Sequence, residues 1–247
     1  MKIACLPMYH RPELNDAHQR YWQLIAGVLN NHGIDAPEQL CQHQNLQELW
    51  LDKAMLMSQT CGMPYRLGLV DKVSLIGTPD YGVAGCPPGH YCSVMIIRRD
   101  DPRASLADFA NARFAYNQRE SQSGFAAPYQ HCRTHGFWFD HTIATGAHVA
   151  AAQAVMDHQA DIAAIDAVTW ELLQRYENME SLRVLLRTEP TPGLPYITAL
   201  DADSSLLFDA VATAIDALSE DDRSQLMLRG IVKIPPLEYL AVPNPDI

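Results

Sequence analysis

The chain has no long apolar run and few basic side chains. No stretch approaches the roughly 20 apolar residues of a membrane-spanning helix, which argues against a membrane-embedded protein. Its 18 Lys and Arg against 29 Asp and Glu give a net charge of −11. Nucleic acids and anionic membranes are bound by basic patches, so we expect neither as a partner. A small anionic ligand is compatible with this charge, because hydroxyl groups and helix N-termini supply hydrogen-bond donors without net positive charge.

Motifs of nucleotide cofactors and of common hydrolases are also missing. The chain has no GxGxxG or P-loop to cradle a nucleotide and no GxSxG elbow for a serine hydrolase. Its six cysteines form no CxxC pair, which excludes zinc-ribbon and thioredoxin-like sites. Cys61 and Cys86 each lie beside glycine in turn-like segments and could pair in an exported protein; six buried or free thiols are the alternative. We expect no cofactor.

One cluster of residues raises the question of a metal site. His131, Cys132 and His135 fall within about one helical turn, and residues i and i+4 share a helix face. No glutamate stands between them, as a metalloprotease would need. The sequence therefore favours a solvated helix face, and we predict no metal ligands.

The apolar residues alternate between strand-like and helix-like spacings. Short apolar runs at 73–76 and 162–165 predict buried strands, and an amphipathic run that ends near Gly33 predicts a helix. Repeated alternation of this kind is typical of an α/β fold in which mainly parallel sheets are flanked by helices. With 48% hydrophobic residues, the chain can bury one large core or two smaller ones.

Two extended segments, 91–98 and 183–191, flank the middle third of the chain. If both are crossovers, residues 93–187 form a lobe 2 that is inserted into a lobe 1 made of residues 1–92 and 188–247. A cleft between two lobes is a common place for a ligand.

A short apolar run at 114–116 predicts a strand. The segment 116–128, YNQRESQSGFAAP, continues this strand into a polar loop and then into a helix predicted from Gly124 onward. Serines at a helix start can cap free backbone N–H groups, and the same groups can bind an anion. A second helix start, TGAH at 145–148, follows the next predicted strand. Two such starts in one α/β unit suggest a ligand site, although every helix that follows a strand needs a cap.

Several segments carry a resemblance to a known family. The chain resembles the phosphate/phosphite/phosphonate-binding proteins of ABC importers, which have the type II periplasmic-binding-protein fold. This resemblance implies two lobes, each with a mainly parallel sheet flanked by helices, and a ligand cleft between them. The matching segments occur in the family's order over nearly the whole chain: LPMY at 6–9, MSQTCG at 57–62, GTPDY at 77–81, SQSG at 121–124, TGAH at 145–148 and DIAAIDAVTW at 161–170.

The resemblance also implies a set of ligand-binding residues. Ser121, Ser123 and Gly124 match the loop that wraps phosphonate oxygens, and His148 matches the histidine that joins them. Asp166 falls near the acidic position that faces an amino group on the ligand's tail. The other lobe contributes, by the same resemblance, four further residues: Tyr9, Ser58, Thr60 and Tyr81. Gln122 departs from the family pattern, where a hydroxyl is expected, so the implied ligand is a small anion or zwitterion.

The implied function is that of a non-enzymatic substrate-binding component of an ABC-type importer. It would bind a small oxyanion such as phosphonate, phosphite or phosphate in the interlobe cleft and be recognised by a membrane permease. The resemblance implies a periplasmic location, whereas Met1-Lys2 leads straight into a strand-like run without a signal peptide, which leaves a cytoplasmic location open. The alternatives are a cytoplasmic ligand-sensing or regulatory protein on the same fold, and a binder or enzyme for a thiamine-precursor-like organic solute, with Cys61 as the candidate nucleophile.

Overall fold

A computed structural model describes residues 1–42 and 45–246, which form two compact units. Unit 1 is Met1–His90 with Pro192–Ala241, and unit 2 is Tyr91–Thr191 with the segment that starts at Val242. The lobe boundaries expected from the sequence differ from these by a few residues at each crossing. The prediction from the sequence placed the C-terminal segment in lobe 1, whereas here it groups with unit 2. Within that unit, Gln130 Nε2 donates a hydrogen bond to the Asn244 carbonyl oxygen at 3.2 Å.

The strands of the described residues are short and mostly buried. In chain order they are β1 (Ile3–Cys5), β2 (Met55–Gln59), β3 (Val73–Asp80), β4 (His90–Tyr91), β5 (Ser93–Arg98), β6 (Arg113–Tyr116), β7 (His141–Ala144), β8 (Ile162–Asp166), β9 (Leu182–Arg187), β10 (Thr191–Pro192), β11 (Tyr196–Ala199) and β12 (Gly230–Val232). β4 and β10 pair as a two-stranded sheet at the points where the chain passes from one unit to the other.

The helices range from single turns to five turns. They are α1 (Asn15–Asn31), α2 (Leu46–Trp50), α3 (Gly62–Pro64), α4 (Ala127–Thr134), α5 (His148–Met156), α6 (Ala167–Tyr176), α7 (Ser204–Ala217), α8 (Glu220–Leu226) and α9 (Pro236–Leu240). Pro12–Leu14 and Leu106–Phe109 are 3₁₀ turns, and Tyr65–Leu69 and Gln122–Ala126 are π-helical turns. In the part of the chain that the structure describes, no helix is both long enough and apolar enough to cross a membrane.

Unit 1 is built on a five-stranded sheet in the order β1-β2-β11-β3-β12. β1 and β2 are parallel, and β11 is antiparallel to both of its neighbours, as β12 is to β3. The amphipathic helix α1 buries Tyr21, Trp22, Ile25 and Leu29, which recur at the helical spacing, in one core with apolar residues of α7. The burial of these four side chains on one face explains why residues 15–31 form a helix.

Unit 2 has a five-stranded sheet in the order β7-β6-β8-β5-β9. β6 is parallel to both β7 and β8, and β5 runs antiparallel to β8 and β9. Four strands of this sheet therefore point one way, as do β1, β2 and β3 in unit 1. β8 is buried along its whole length, which fits its continuous apolar sequence. The α/β class predicted from the sequence is confirmed.

Candidate functional site

Three helical segments begin at the carboxyl edge of the parallel strands β6, β7 and β8. The turn Gln122–Ala126, which continues into α4, follows β6; α5 follows β7, and α6 follows β8. Because these strands are neighbours that run in one direction, their helix starts lie along one edge of the sheet. The first N–H groups of a helix have no intrahelical acceptor, and the helix dipole favours negative charge there. This edge has the polarity of an anion-binding site.

The loop after β6 is fixed by buried serines. Ser121 Oγ accepts a hydrogen bond from the Gly124 N–H at 2.9 Å and so caps the helical turn. Ser93 Oγ on β5 donates to the Ser123 carbonyl oxygen at 2.7 Å. Both Ser121 and Ser123 are buried. The Ser121 hydroxyl and the backbone of Ser123 are therefore held by the fold before any ligand arrives.

His148 is the first residue of α5, and its ring faces the serine loop. Its Nε2 lies 3.2 Å from Ser123 Oγ and 3.3 Å from Asn117 Nδ2. Burial lowers the pKa of His148 to about 4, with the Ala164 carbonyl acting in the opposite direction. The imidazole is therefore neutral at pH 7. A bound anion would raise its pKa, because negative charge nearby favours the protonated ring.

Asp166 ends β8 and begins α6. Its Oδ1 accepts the Thr169 N–H at 2.9 Å, so it is the N-cap of the helix, and the residue is 2% exposed. It lies opposite Ser93 in the β5–β8 register. Ser93 is the residue whose hydroxyl holds the serine loop. Capping gives Asp166 a structural role, whatever its role toward a ligand.

The remaining predicted residues lie in unit 1. Tyr9 and Tyr81 pack edge-on, with ring centroids 4.9 Å apart and planes at 77°. The Tyr81 hydroxyl accepts a hydrogen bond from Gln59 Nε2 at 3.2 Å. Ser58 and Thr60 flank Gln59 and are fully buried, and Ser58 Oγ has no hydrogen-bond partner within residues 1–42 and 45–246.

The structure thus brings together four residues predicted for the ligand's oxyanion group, namely Ser121, Ser123, Gly124 and His148. Sequence reasoning missed Ser93 and Asn117. Asparagine directly after a strand is a known turn signal and could have drawn attention to Asn117, but no sequence pattern marks Ser93. The ligand-binding roles of all nine predicted residues stay predictions.

The histidine cluster on α4 does not gather metal ligands. The rings of His131 and His135 lie side by side, with centroids 4.9 Å apart, as their spacing predicts. Cys132 is fully buried, which raises the pKa of its thiol to about 12. Across the described residues, no group of three or more His, Cys, Asp or Glu side chains is arranged to hold a metal ion.

Comparison with known protein families identifies the family to which this chain belongs. The family model of the periplasmic substrate-binding protein of phosphonate ABC transporters matches residues 71–236. The chain belongs to this family. Members of the family are solute-binding components of transporters, so membership implies a small ligand, a membrane permease as partner and a periplasmic setting. A search of curated proteins finds no match.

Three solved structures illustrate the similarity of the fold. PhnD1 from Prochlorococcus marinus, in complex with methylphosphonate, is 15% identical with a TM-score of 0.71, over 96% of this chain and 94% of that one. XAC2383 from Xanthomonas citri, bound to chloride, is 15% identical with a TM-score of 0.70, over 96% and 93%. A binding component of a phosphonate transporter from Pseudomonas aeruginosa is 13% identical with a TM-score of 0.69, over 97% and 84%. The predicted type II periplasmic-binding-protein fold is confirmed.

Proposed function

We propose that this protein is the substrate-binding component of an ABC-type importer and binds a small oxyanion, phosphonate, phosphite or phosphate. The observation that carries the proposal is the convergence of Ser121, Ser123 and His148 at two helix starts of unit 2. A tetrahedral oxyanion suits several convergent hydroxyl and N–H donors. The similarity to PhnD1, whose structure contains methylphosphonate, supports the phosphonate class.

The charge of the protein makes these few donors decisive. With a net charge of −11, the chain as a whole repels an anion. Attraction must therefore come from local dipoles and hydroxyl groups, each charge-assisted hydrogen bond contributing roughly 1.5–3 kcal/mol. The loss of one donor should be visible as a large change in affinity.

The other predicted residues complete the proposal. Asp166 would face a positively charged group on the ligand's tail, and Tyr9, Tyr81, Ser58 and Thr60 would contribute from unit 1. The ligand-loaded form would be the one that a permease recognises, in the periplasm. We assign no catalytic step to these residues.

Isothermal titration calorimetry with methylphosphonate, phosphite, phosphate and sulfate tests the proposal. We expect at least one phosphorus oxyanion to bind, and Ser123→Ala to weaken that binding roughly 10- to 150-fold, the equivalent of one charge-assisted bond. Ser205→Ala is the matched control, because Ser205 is an exposed serine in the first turn of α7 in unit 1. Its affinity should equal that of the wild type.

Two results would overturn the proposal. One is the absence of binding by every phosphorus oxyanion at millimolar concentration. The other is unchanged affinity in Ser123→Ala. Binding of a thiamine-precursor-like solute with no binding of oxyanions would favour the alternative ligand class instead.

A further inference from the structure

Asn117 lies where the two helix starts of the proposed oxyanion site meet. It directly follows β6, and its carbonyl oxygen accepts the Gly146 N–H at 2.8 Å, just before α5 begins. Its side-chain Nδ2 lies 3.3 Å from His148 Nε2. The Oδ1 atom of the same side chain lies so close to Gly124 that a Cβ atom at position 124 would collide with it. One residue therefore touches both loops.

The side-chain amide of Asn117 determines which ring nitrogen of His148 carries the proton. As the two side chains face each other, the amide nitrogen of Asn117 donates to His148 Nε2, and we assign the ring proton of the neutral imidazole to Nδ1. The neutral Nε2 has one lone pair. Ser123 Oγ lies 3.2 Å from the same nitrogen. When the Asn117 N–H occupies the lone pair, the hydroxyl hydrogen of Ser123 is left for another acceptor.

The oxygen of the Asn117 side-chain amide is unusual in its hydrogen bonding. Asn117 Oδ1 is buried and has no hydrogen-bond partner among the described residues. A buried acceptor without a partner destabilises the folded state, and such groups call for an explanation in function or strain. Contact with Gly124 explains how the oxygen fits, because a glycine alone leaves room for it. It does not offset the cost of leaving the acceptor unbonded.

We propose that Asn117 is a positioning residue of the oxyanion site: it holds His148 with Nε2 as acceptor, frees the Ser123 hydroxyl hydrogen for the oxyanion, and requires glycine at position 124. This inference rests on the function proposed above. It goes beyond it by assigning a role to a residue that need not touch the ligand.

The first test reads the imidazole directly. In the ¹⁵N NMR spectrum of the ligand-free wild type, His148 should show the Nδ1–H tautomer at pH 7. In Asn117→Ala no amide N–H donates to Nε2, so the tautomer should shift toward Nε2–H. The Nε2–H group then donates to Ser123 Oγ and ties this hydroxyl to the ring, so affinity for methylphosphonate should fall about tenfold. In Asn117→Asp the carboxylate beside Nε2 should raise the pKa of His148 by one unit or more. Asn178→Ala, an exposed asparagine of the same unit, is the control and should change neither tautomer nor affinity.

The second test is a double-mutant cycle. Gly124→Ala alone should lower the melting temperature strongly, because its Cβ would collide with Asn117 Oδ1. In the Asn117→Ala background the closest remaining contact of that Cβ is Ser121 Oγ at 3.2 Å, so Gly124→Ala should cost much less there. Recovery of folding in the double variant would support the inference even if Gly124→Ala alone failed to fold.

The inference is overturned if the His148 tautomer is the same in wild type and Asn117→Ala, or if Gly124→Ala lowers the melting temperature equally in both backgrounds. The NMR measurement and the cycle need no ligand, so they separate this inference from the proposed function. If both succeed and the wild type binds no oxyanion, the proposed function fails and the positioning of His148 by Asn117 stands.

Discussion

Acidification from pH 7 to pH 5 should destabilise the protein chiefly through two histidines, His18 and His148. Burial also lowers the pKa of His131, which acts in the same direction. Burial lowers the pKa of His148 to about 4, and burial, with a smaller electrostatic contribution from neighbouring His10, does the same for His18. Each histidine has a pKa near 6.5 once unfolded, so between pH 6.5 and 4 the unfolded state binds protons that the folded state does not. Stability must fall as the pH falls through that window.

The magnitude follows from the two pKa values. With 6.5 unfolded and about 4 folded, the free energy of unfolding drops by about 2 kcal/mol per histidine between pH 7 and pH 5. Paired carboxylates such as Asp101, whose pKa is lowered chiefly by its hydrogen bond to Arg103, act in a different window. Their contribution to stability is present above the unfolded pKa of 3.8 and is lost below it. The change in the free energy of unfolding between pH 7 and pH 5 therefore comes mainly from the histidines.

Urea unfolding at pH 7 and pH 5 measures this difference. His148→Gln and His18→Gln should each remove about 2 kcal/mol of the pH dependence, whatever they do to stability at pH 7. His141→Gln, at an exposed histidine of β7, is the control and should keep the full pH dependence. A wild-type free energy of unfolding that is the same at both pH values would refute the reasoning, as would an unchanged pH dependence in both variants.

Two further predictions concern packing and capping. Gly77→Ala should lower the free energy of unfolding by about 1–3 kcal/mol, because its Cβ would lie 2.8 Å from Ile231 Cδ1 and from Phe208 Cδ2. Adding Ile231→Val should recover part of the loss in urea unfolding, and no recovery would contradict this account. Ser121→Ala should cost about 1 kcal/mol by removing the cap on the Gly124 N–H. Ser121→Thr keeps a capping hydroxyl and should lose less, so equal losses would argue against capping.

Local signals in the sequence predicted the elements around the site. An apolar run predicted a strand at 114–116, and the structure has β6 at Arg113–Tyr116. The TGAH segment predicted a helix start, and α5 begins at His148. The helix predicted from Gly124 onward begins earlier, at Gln122, and as a π-helical turn. Caps and apolar periodicity depend on near neighbours in the chain, which is why they can be recognised without a structure.

Other features depend on distant pairing and could not be predicted. The antiparallel insertion of β5 between β8 and β9 depends on partners far apart in the chain. The link between Asn117 and His148 joins residues 31 positions apart, and that between Ser93 and Ser123 joins residues 30 positions apart. Neither residue type alone indicates its partner, since asparagine and serine are common in loops. Only the strand order makes them neighbours.

The position of β11 has a consequence for the order in which the protein can fold during synthesis. This strand fills the centre of the unit 1 sheet, between β2 and β3, yet it is made only after residues 91–191. When a ribosome has completed the first 90 residues, β2 and β3 therefore lack the partner that joins them and expose unpaired edges. Unit 2, apart from its short C-terminal segment, is continuous in sequence and can fold as soon as it emerges. The N-terminal segment cannot complete its sheet until the chain has returned to supply β11.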